Sequence, residues 1–459
     1  MRARLAALTL LAILAAGCGS AGGSSTSDAA GLVPGGALAY LTVNTDLGSG
    51  QLESAQSVLD KFPIKPQLVA ELKKTLRNAG VNPAVLKRSV GPQVDLAILN
   101  VNGETNAVAF TQPTDEKQFE QQLTSSGATT VHEKIGGWTV FAEKQPFLDA
   151  VKNRKGKLSD EASYADSLST VPTDAIARAY IAPAAIGQAV SLSGVGPSLP
   201  LNTKDARWAT AALTSSSGAV KLEIHAKGVA QSASQAASDL AAQIPSGSIV
   251  ALDLQGIGKA VNQQALNQAK SLVPVFDVSG ILQALGDDTI AYVRAGLPIP
   301  EVTLASKPRD VQKALRTVGT IVQAIAPGQG ATSTVTVDGV VLKKVDLGSF
   351  AVFYGAFDGE LVVSDSQNAV AELRAKGDKL ADDSVFKEAR DGAGMADTGE
   401  GFLFVNLKDA VPAAEGLAQF ANQTIPQRVD ENLKPLRSLL AFGSKKGGVQ
   451  SFVAFLQTS

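Results

Sequence analysis

The chain has 459 residues, of which 45% are apolar and 18% charged, so it can bury a large core and is not a disordered polymer. Its formal net charge of −2 excludes the strongly basic surface that nucleic-acid binding requires. An aromatic content of 5% weighs against stacking surfaces for sugars or bases, and the length predicts two or three domains.

Residues 1–17 have the layout of a secretory signal peptide. Arg2 and Arg4 give a positive start, residues 5–16 are apolar, and small residues precede Cys18. A helix that spans a bilayer needs about 20 apolar residues, so this run is too short to remain in the membrane. We therefore predict that the segment is removed and that the protein is exported to the outer face of the cell membrane.

Cys18 is the only cysteine in the chain, and the residues before it resemble the lipobox of bacterial lipoproteins. Ala15 departs from the pattern, because leucine is usual at that place. The resemblance implies that Cys18 becomes the first mature residue and carries diacylglycerol, which attaches the protein to the membrane. The alternative is an ordinary unpaired cysteine, which invites intermolecular pairing outside the cell. The Gly- and Ser-rich residues 18–31 are predicted to form a flexible tether.

Six segments recur in the same order, which predicts two tandem homologous halves, residues 32–229 and 230–459. The matched segments begin at residues 32 and 243, 89 and 284, 112 and 306, 136 and 348, 158 and 380, and 212 and 441. A helix over about 230–243 is expected to join the halves. The alternative is two unrelated α+β domains whose apolar patterns are similar only because such patterns are common.

Turn and helix signals predict the content of each half. Asn102-Gly103 and Asp358-Gly359 are strong hairpin turns, because these residue types tolerate positive φ. Residues 311–325 place apolar side chains on one helical face. Hairpins next to such helices predict an α+β fold, in which each half is an antiparallel sheet covered by helices on one side.

The chain also resembles a known family, through strand and turn patterns that carry no catalytic signature. The segments VPGGALAYLTVN from Val33 and DGELVVSDS from Asp358, together with the lipobox, resemble bacterial lipoproteins of domain-of-unknown-function family 3352, which are frequent in actinobacteria. The resemblance implies a surface-anchored, exported protein without an assigned activity, and it supplies no functional residues.

Candidate catalytic and metal-binding residues are few. The two histidines, His132 and His225, stand in strand-like stretches and with a lipidated cysteine cannot form a zinc site. Paired acids at 286–288 and 381–383 are typical of solvated turns, and the Gly-rich segment from Asp391 lacks the spacing of a phosphate loop. We therefore expect no metal and no cofactor.

Ser384 and Lys387 fit the S-x-x-K pattern of serine acyl-transferases, in which a helical turn brings the lysine amine beside the serine hydroxyl. The K-T-G element that follows in those enzymes is absent, and this spacing is expected by chance in a chain rich in serine and lysine. The pattern leaves a cell-envelope hydrolase or transferase open as an alternative.

The sequence as a whole predicts a lipid-anchored extracytoplasmic protein that is not an enzyme and that binds a ligand or partner. A carrier of lipids or other hydrophobic ligands is one alternative, and the envelope hydrolase or transferase is another. The expected partners are the membrane, through the lipid on Cys18, and an envelope protein or lipid ligand, but no nucleic acid.

Overall fold

Short apolar runs between turn residues form strands along this chain, and amphipathic runs between them form helices. The computed structural model describes residues 29–78, 90–125, 130–192, 204–229, 238–256, 285–296, 300–325, 332–348, 350–396 and 401–459. The predicted signal peptide and Cys18 lie outside the described residues. Contacts divide the described chain into two compact units, residues 29–189 with 204–229 and residues 238–457 with Ser459.

Eight strands lie among the described residues of the first unit. They are β1 (Ala39–Asn44), β2 (Gln93–Val101), β3 (Glu104–Thr111), β4 (Val131–Ile135), β5 (Trp138–Ala142), β6 (Ala177–Ile181), β7 (Trp208–Ser216) and β8 (Ala219–Lys227). The helices are α1 (Gly50–Asp60), α2 (Lys65–Asn78), α3 (Glu116–Ser125), α4 (Gln145–Lys152), α5 (Ala162–Leu168) and α6 (Pro183–Leu192). Ala29–Gly31 and Leu158–Asp160 form 3-10 turns.

These strands pair antiparallel in the order β4-β5-β3-β2-β1-β6-β7-β8. Strand β1 is central, because it pairs with β2 on one side and β6 on the other. The turn between β2 and β3 is formed by Asn102 and Gly103, with φ of 52° and 84°. The predicted hairpin turn is therefore confirmed, and so is the mixed helix-and-strand fold with an antiparallel sheet.

Helices cover both faces of this sheet, so the predicted one-sided cover is wrong. In β1, Leu41 packs into an apolar cluster with Phe119 of α3, whereas the preceding Tyr40 contacts the ring of Tyr164 in α5. Successive strand residues point to opposite faces, so α3 and α5 lie on opposite sides of the sheet. The strands permit this because runs such as DLAILNV in β2 are apolar on both faces.

Ten strands lie among the described residues of the second unit. They are β9 (Ser248–Gln255), β10 (Asp288–Arg294), β11 (Glu301–Lys307), β12 (Thr332–Val337), β13 (Val340–Asp346), β14 (Ala351–Phe357), β15 (Glu360–Ser364), β16 (Gly401–Val405), β17 (Leu436–Lys446) and β18 (Val449–Thr458). The helices are α7 (Val311–Ile325), α8 (Ala369–Arg374), α9 (Ser384–Ala393), α10 (Leu407–Phe420) and α11 (Gln427–Leu433), and Ala241–Gln243 and Leu380–Asp382 form 3-10 turns.

The second sheet is also antiparallel, in the order β12-β13-β14-β15-β11-β10-β9-β16-β17-β18. Asp358 and Gly359 form the predicted turn between β14 and β15, with φ of 50° and 81°. The segments that the sequence matched at residues 136 and 348 contain β5 and β14. In the first unit β5 pairs with β3, and in the second it is β15, not β14, that pairs with β11.

Helices cover both faces of the second sheet as well. Helix α7 packs on Leu304 of β11 and Val363 of β15, which confirms the predicted amphipathic helix over residues 311–325. Phe386 of α9 contacts Phe404 of β16, and the strand register places Phe404 on the same face as Thr303. Because Thr303 and Leu304 are successive residues, α9 and α7 lie on opposite faces.

Residues 29–31 belong to the folded body, which corrects the predicted tether of residues 18–31. Ala29 and Ala30 are buried, and the Ala29 N–H donates to Asp95 Oδ2 at 2.8 Å. Asp95 is itself buried in β2, and Gln93 Nε2 lies 2.9 Å from both of its carboxylate oxygens. Composition missed this contact because its partner is 66 residues away.

The structure describes only part of the segment predicted as a helix over about 230–243, and that part is not an α-helix. Residues 230–237 lie outside the described residues, and the rest contains the 3-10 turn Ala241–Gln243. Ser238 Oγ accepts the Ala241 N–H at 2.9 Å and donates to Asp288 Oδ1 at 2.7 Å. This is the bond of a helix N-cap, so a helical turn begins after Ser238 and does not run through it, and Pro245 follows closely.

We expect Asp95→Asn to stabilise the first unit at about pH 8 and to do so much less at about pH 4. Burial raises the pKa of Asp95 from 3.8 to about 6, so the folded state binds the proton more tightly than the unfolded state. The stability that this proton contributes is complete below about pH 4 and is lost as pH rises through about 6, an effect of about 2–3 kcal/mol. Thermal unfolding at the two pH values measures the change.

The exposed Asp174 provides the control, because Asp174→Asn makes the same substitution outside the core and should change the unfolding temperature little. A larger stabilisation of Asp95→Asn in acid than at about pH 8 would contradict the assigned direction of the shift.

Candidate functional site

A cavity of about 230 Å³ lies in the second unit, where α10, α11 and the start of β17 meet. Its wall is formed by Leu407, Lys408, Val411, Pro412, Glu415, Leu433, Lys434, Leu436, Arg437 and Ser459. An apolar surface with a few polar groups converging on it is the ordinary make-up of a small-molecule site. The cavity is therefore the candidate functional site.

Local sequence signals place the two helices at the cavity. Asn406 caps α10, because its Oδ1 accepts the Asp409 N–H at 3.3 Å and its Nδ2 donates to Asp409 Oδ2 at 2.7 Å. Pro412 lies inside α10 and has no N–H, so the Lys408 carbonyl lacks its ordinary helical donor. Helix α11 begins directly after Pro426.

One side of the cavity is apolar. Leu407 and Val411 lie one turn apart on α10, Leu433 ends α11, and Leu436 begins β17. Each of these side chains is half-buried rather than sealed in a core. Three separate elements therefore present apolar surface to the same small space.

Beside that surface, two carboxyl groups and a lysine influence one another's pKa. Lys434 Nζ donates to Asp430 Oδ2 at 2.7 Å, and this bond lowers the pKa of Asp430. A hydrogen bond with Asp430 raises the pKa of Glu415, because the proton on Glu415 is shared with the neighbouring carboxylate. The protonated form of Glu415 is therefore favoured by its neighbour Asp430.

One N–H group of Arg437 has no hydrogen-bond acceptor among the described residues. Its Nη2 lies 2.6 Å from Glu388 Oε2, which holds the guanidinium in place. Its Nε is buried and has no hydrogen-bond partner among the described residues. A buried donor without an acceptor costs about 1–3 kcal/mol, so this part of the wall is less well satisfied than a fully hydrogen-bonded core.

The residues that the sequence singled out lie elsewhere. Cys18 is outside the described residues. Ser384 is the exposed first residue of α9, whose N-cap Asp383 accepts from the N–H groups of Val385 and Phe386. Lys387 is also exposed, and its Nζ pairs with Asp382 Oδ1 at 3.6 Å. No hydrogen bond joins Ser384 to Lys387 in this described segment.

The remaining candidates are not brought together. His132 is exposed on β4, and His225 lies on β8, where burial lowers its pKa. Asp287 of the first acidic pair binds Arg309, with Nη2 3.1 Å from Oδ2. Within the described ranges no three His, Cys, Asp or Glu side chains are grouped as metal ligands. No helix among these residues has both the length and the apolar character needed to cross a bilayer.

The cavity residues were missed because they form no motif. The available signal was the spacing of Leu407, Val411 and Glu415, which puts an acidic residue at the end of an apolar helical stripe. That spacing does not reveal Arg437, which reaches the site from β17.

Comparisons with known proteins leave the chain without a family. No family model matches it, and no curated protein matches it in sequence. Among solved structures, crystal form I of TP0453 aligns with 44% of this chain and 79% of that chain, at 12% identity and a TM-score of 0.24. A similarity this weak carries no argument about fold or function. The resemblance to domain-of-unknown-function family 3352 stays a prediction.

We expect Glu415 to titrate above 4.5, the ordinary pKa of a glutamate, and to return towards that value in Asp430→Asn. An asparagine amide donates to the ionised Glu415 carboxylate instead of sharing its proton, which favours the charged form. Carboxyl ¹³C NMR over a pH series measures the midpoint. The control is Asp391→Asn on α9, which should leave the midpoint unchanged. A Glu415 midpoint that is insensitive to Asp430→Asn contradicts the coupling.

Proposed function

We propose that this protein is a lipid-anchored, extracytoplasmic binding protein that captures a small amphipathic ligand without transforming it. The observation that carries the proposal is the cavity between α10, α11 and β17, with an apolar wall to which all three elements contribute. The proposal includes a body made by tandem duplication of one unit, and membrane attachment through Cys18.

The strand orders support the duplication. The order β4-β5-β3-β2-β1-β6-β7-β8 matches β14-β15-β11-β10-β9-β16-β17-β18, and the hairpin β12-β13 is an addition to the second unit. Isolated bridges pair Pro34 with Lys157 and Pro245 with Lys379, at matched places in the sequence. Unrelated domains have no reason to share such a bridge.

Aromatic contacts support it further. Tyr164 of α5 meets Tyr180 of β6 edge-on at 5.3 Å between ring centroids. Phe386 of α9, the sequence match of Tyr164, meets Phe404 of β16 edge-on at 5.0 Å. Strands β6 and β16 hold the same place, beside β1 and β9 respectively.

A buried carboxyl group occupies the same cross-strand pair in each unit. Asp95 on β2 lies opposite Thr42 on β1, and Asp253 on β9 lies opposite Ile290 on β10. Burial raises the pKa of both carboxyls to about 6. The cross-strand pair lies at the same place in both units, but its carboxyl group is on β2 in the first unit and on β9, the counterpart of β1, in the second. Such a difference is expected of copies that diverged after duplication.

The anchor rests on the sequence around Cys18. Ten residues, 19–28, separate this cysteine from Ala29, where the described body begins. If they behave as a Gly- and Ser-rich coil, they reach roughly 17 Å, enough to hold the body near a membrane without burying it. The lipid on Cys18 thus fixes the location of the protein and leaves its cavity free.

The cavity favours a small ligand over a whole lipid. Its volume of about 230 Å³ is below the roughly 300–1,000 Å³ of pockets that hold drug-sized molecules. The hydrolase or transferase alternative depends on Ser384 and Lys387, which are both exposed and are not joined by a hydrogen bond in the described segment. Binding without chemistry is therefore the function we put forward.

Cys18→Ser should release the protein from membranes into the soluble fraction, because the substitution removes the sulfur that carries the lipid. Cell fractionation followed by immunoblotting measures the release, and Ser20→Ala is the neighbouring control that should remain membrane-bound. Mass spectrometry of the mature wild-type chain should find acyl mass on residue 18. Persistent membrane association of Cys18→Ser contradicts the anchor.

Val411→Phe should fill the cavity and abolish ligand binding, because Val411 lies in its apolar wall. Ligand-observed NMR with a library of small amphipathic fragments measures binding to the full-length chain, which carries Cys18→Ser so that it is soluble. Ala414→Phe, on an exposed position of the same helix, is the matched control and should bind as the parent does. If the parent binds no fragment, or if Val411→Phe binds the same fragments equally well, the cavity is not a binding site.

A further inference from the structure

We propose that the edge strand β12 pairs with β12 of a second copy of this chain, antiparallel and about a two-fold axis, so that the second sheets of two molecules join edge to edge. This surface is separate from the cavity, and the proposal does not depend on what the cavity binds.

Strand β12 is the outer strand of the second sheet as far as that sheet is described. It pairs with β13 on one side, and no other described strand pairs with it. Four of its side chains are exposed, those of Thr332, Ser333, Thr334 and Thr336. The edge therefore presents a row of backbone N–H and C=O groups, which is the arrangement that accepts a further strand.

The turn next to β12 determines which backbone groups point outward. Asp338 and Gly339 have φ of 48° and 80°, so they form a two-residue hairpin turn closed by the hydrogen-bonded pair Val337 and Val340. Hydrogen-bonded and non-hydrogen-bonded residues alternate along an antiparallel pair, so residues 333, 335 and 337 bond to β13. The N–H and C=O groups of residues 332, 334 and 336 therefore point to the open side.

The sequence of β12 lacks the features that keep an edge strand from pairing. Its six residues, TSTVTV, include no charge and no proline, and its register with β13 has no bulge. The edge strand β4 of the first unit, VHEKI, carries two charged residues. These are Glu133 and Lys134, which pair with Lys152 and Glu116. The edge at β4 is thus protected against pairing, whereas the edge at β12 is not.

A second copy of β12 is complementary to this edge. An antiparallel pair centred on Thr334 places Thr334 opposite Thr334 and Thr332 opposite Thr336, so all the outward backbone groups meet in about six hydrogen bonds. The side chains of these residues lie on one face, so threonine pairs with threonine, which is a favourable cross-strand combination. The two copies use the same surface, so the association stops at a dimer.

Charge favours a second copy over an acidic strand. The lysines of the hairpin, Lys343 and Lys344, lie on β13, and in the dimer the two β13 strands are roughly 14 Å apart. This separation exceeds the Debye length of about 8 Å at physiological salt, so repulsion between the copies is weak. An acidic strand gains little, because Lys344 lies 3.9 Å from Asp346 and Lys343 lies over the ring of Tyr354.

The paired edge is small. A stable dimer commonly buries roughly 1,200–2,000 Å² of surface, and six residues of strand edge bury less than this. We therefore expect a weak dimer whose population rises with protein concentration.

Disulfide formation by single cysteines tests the register. The full-length chain carrying Cys18→Ser has no other cysteine, so an introduced one reports alone. Thr334→Cys should form disulfide-linked dimers at least tenfold faster than Val341→Cys, which is equally exposed on β13. In the dimer the two copies of residue 334 have Cα atoms about 5.5 Å apart, within disulfide range, and those of residue 341 are more than roughly 14 Å apart. Non-reducing electrophoresis measures the rates, and equal rates overturn the proposal.

A charge exchange at residue 334 tests the same pair without a covalent bond. Thr334→Lys and Thr334→Glu, each alone, should dimerise at least tenfold more weakly than the parent, because like charges then face each other. An equimolar mixture of the two should recover the dimer, and Thr334→Val should dimerise as the parent does. Sedimentation equilibrium measures the dissociation constants. A misfolded variant cannot be rescued by mixing, so a mixture that associates no better than its components overturns the proposal.

Oxidation in intact envelopes distinguishes the other occupant of the edge. The Thr334→Cys chain, with Cys18 retained, should give an adduct with itself, and the parent chain should give none. An adduct of Thr334→Cys with a different polypeptide, and none with itself, overturns the second copy in favour of a strand from another protein.

Discussion

Burial of each sheet on both faces is the constraint on which the rest of the structure depends. A strand covered on both sides must be apolar along its whole length, and the few polar groups it carries must find partners inside. Asp95 meets this demand through Gln93 and the Ala29 N–H. Residues 29 and 30 are therefore held to the sheet both by the hydrogen bond to a buried carboxylate and by the apolar packing of the two alanines.

The features that the sequence predicted are those encoded locally. The turns at Asn102 and Asp358 depend on residue types that tolerate positive φ, and the helix over 311–325 depends on its own periodicity. The features that it missed depend on distant partners. Helices on both faces, the ordering of residues 29–31 and the extra hairpin β12-β13 each require knowledge of which strands become neighbours. The cavity belongs to this second group, because Val411 and Arg437 line it from α10 and from β17, which are far enough apart in the sequence that their meeting depends on the sheet.

The helices at the cavity are packed less tightly than the helices that cover the sheet. No residue of α10 or α11 is fully buried, whereas α9 buries Val385, Phe386 and two alanines against its sheet. Loosely packed helices can leave a space between them, because fewer contacts oppose it. Arg437 Nε is buried beside these helices without a hydrogen-bond partner among the described residues, and such local departures from full satisfaction are expected at functional sites.

The contact of Ala29 with Asp95 has a mechanical consequence. Any tension applied through the residues before Ala29 acts first on that hydrogen bond and then on the bridge from Pro34 to Lys157, before it reaches β1. Because β1 is held on both sides, by β2 and by β6, a pull along it must shear two rows of backbone bonds at once. The short segment from Ala29 to Pro34 is therefore expected to detach under load before the sheet shears.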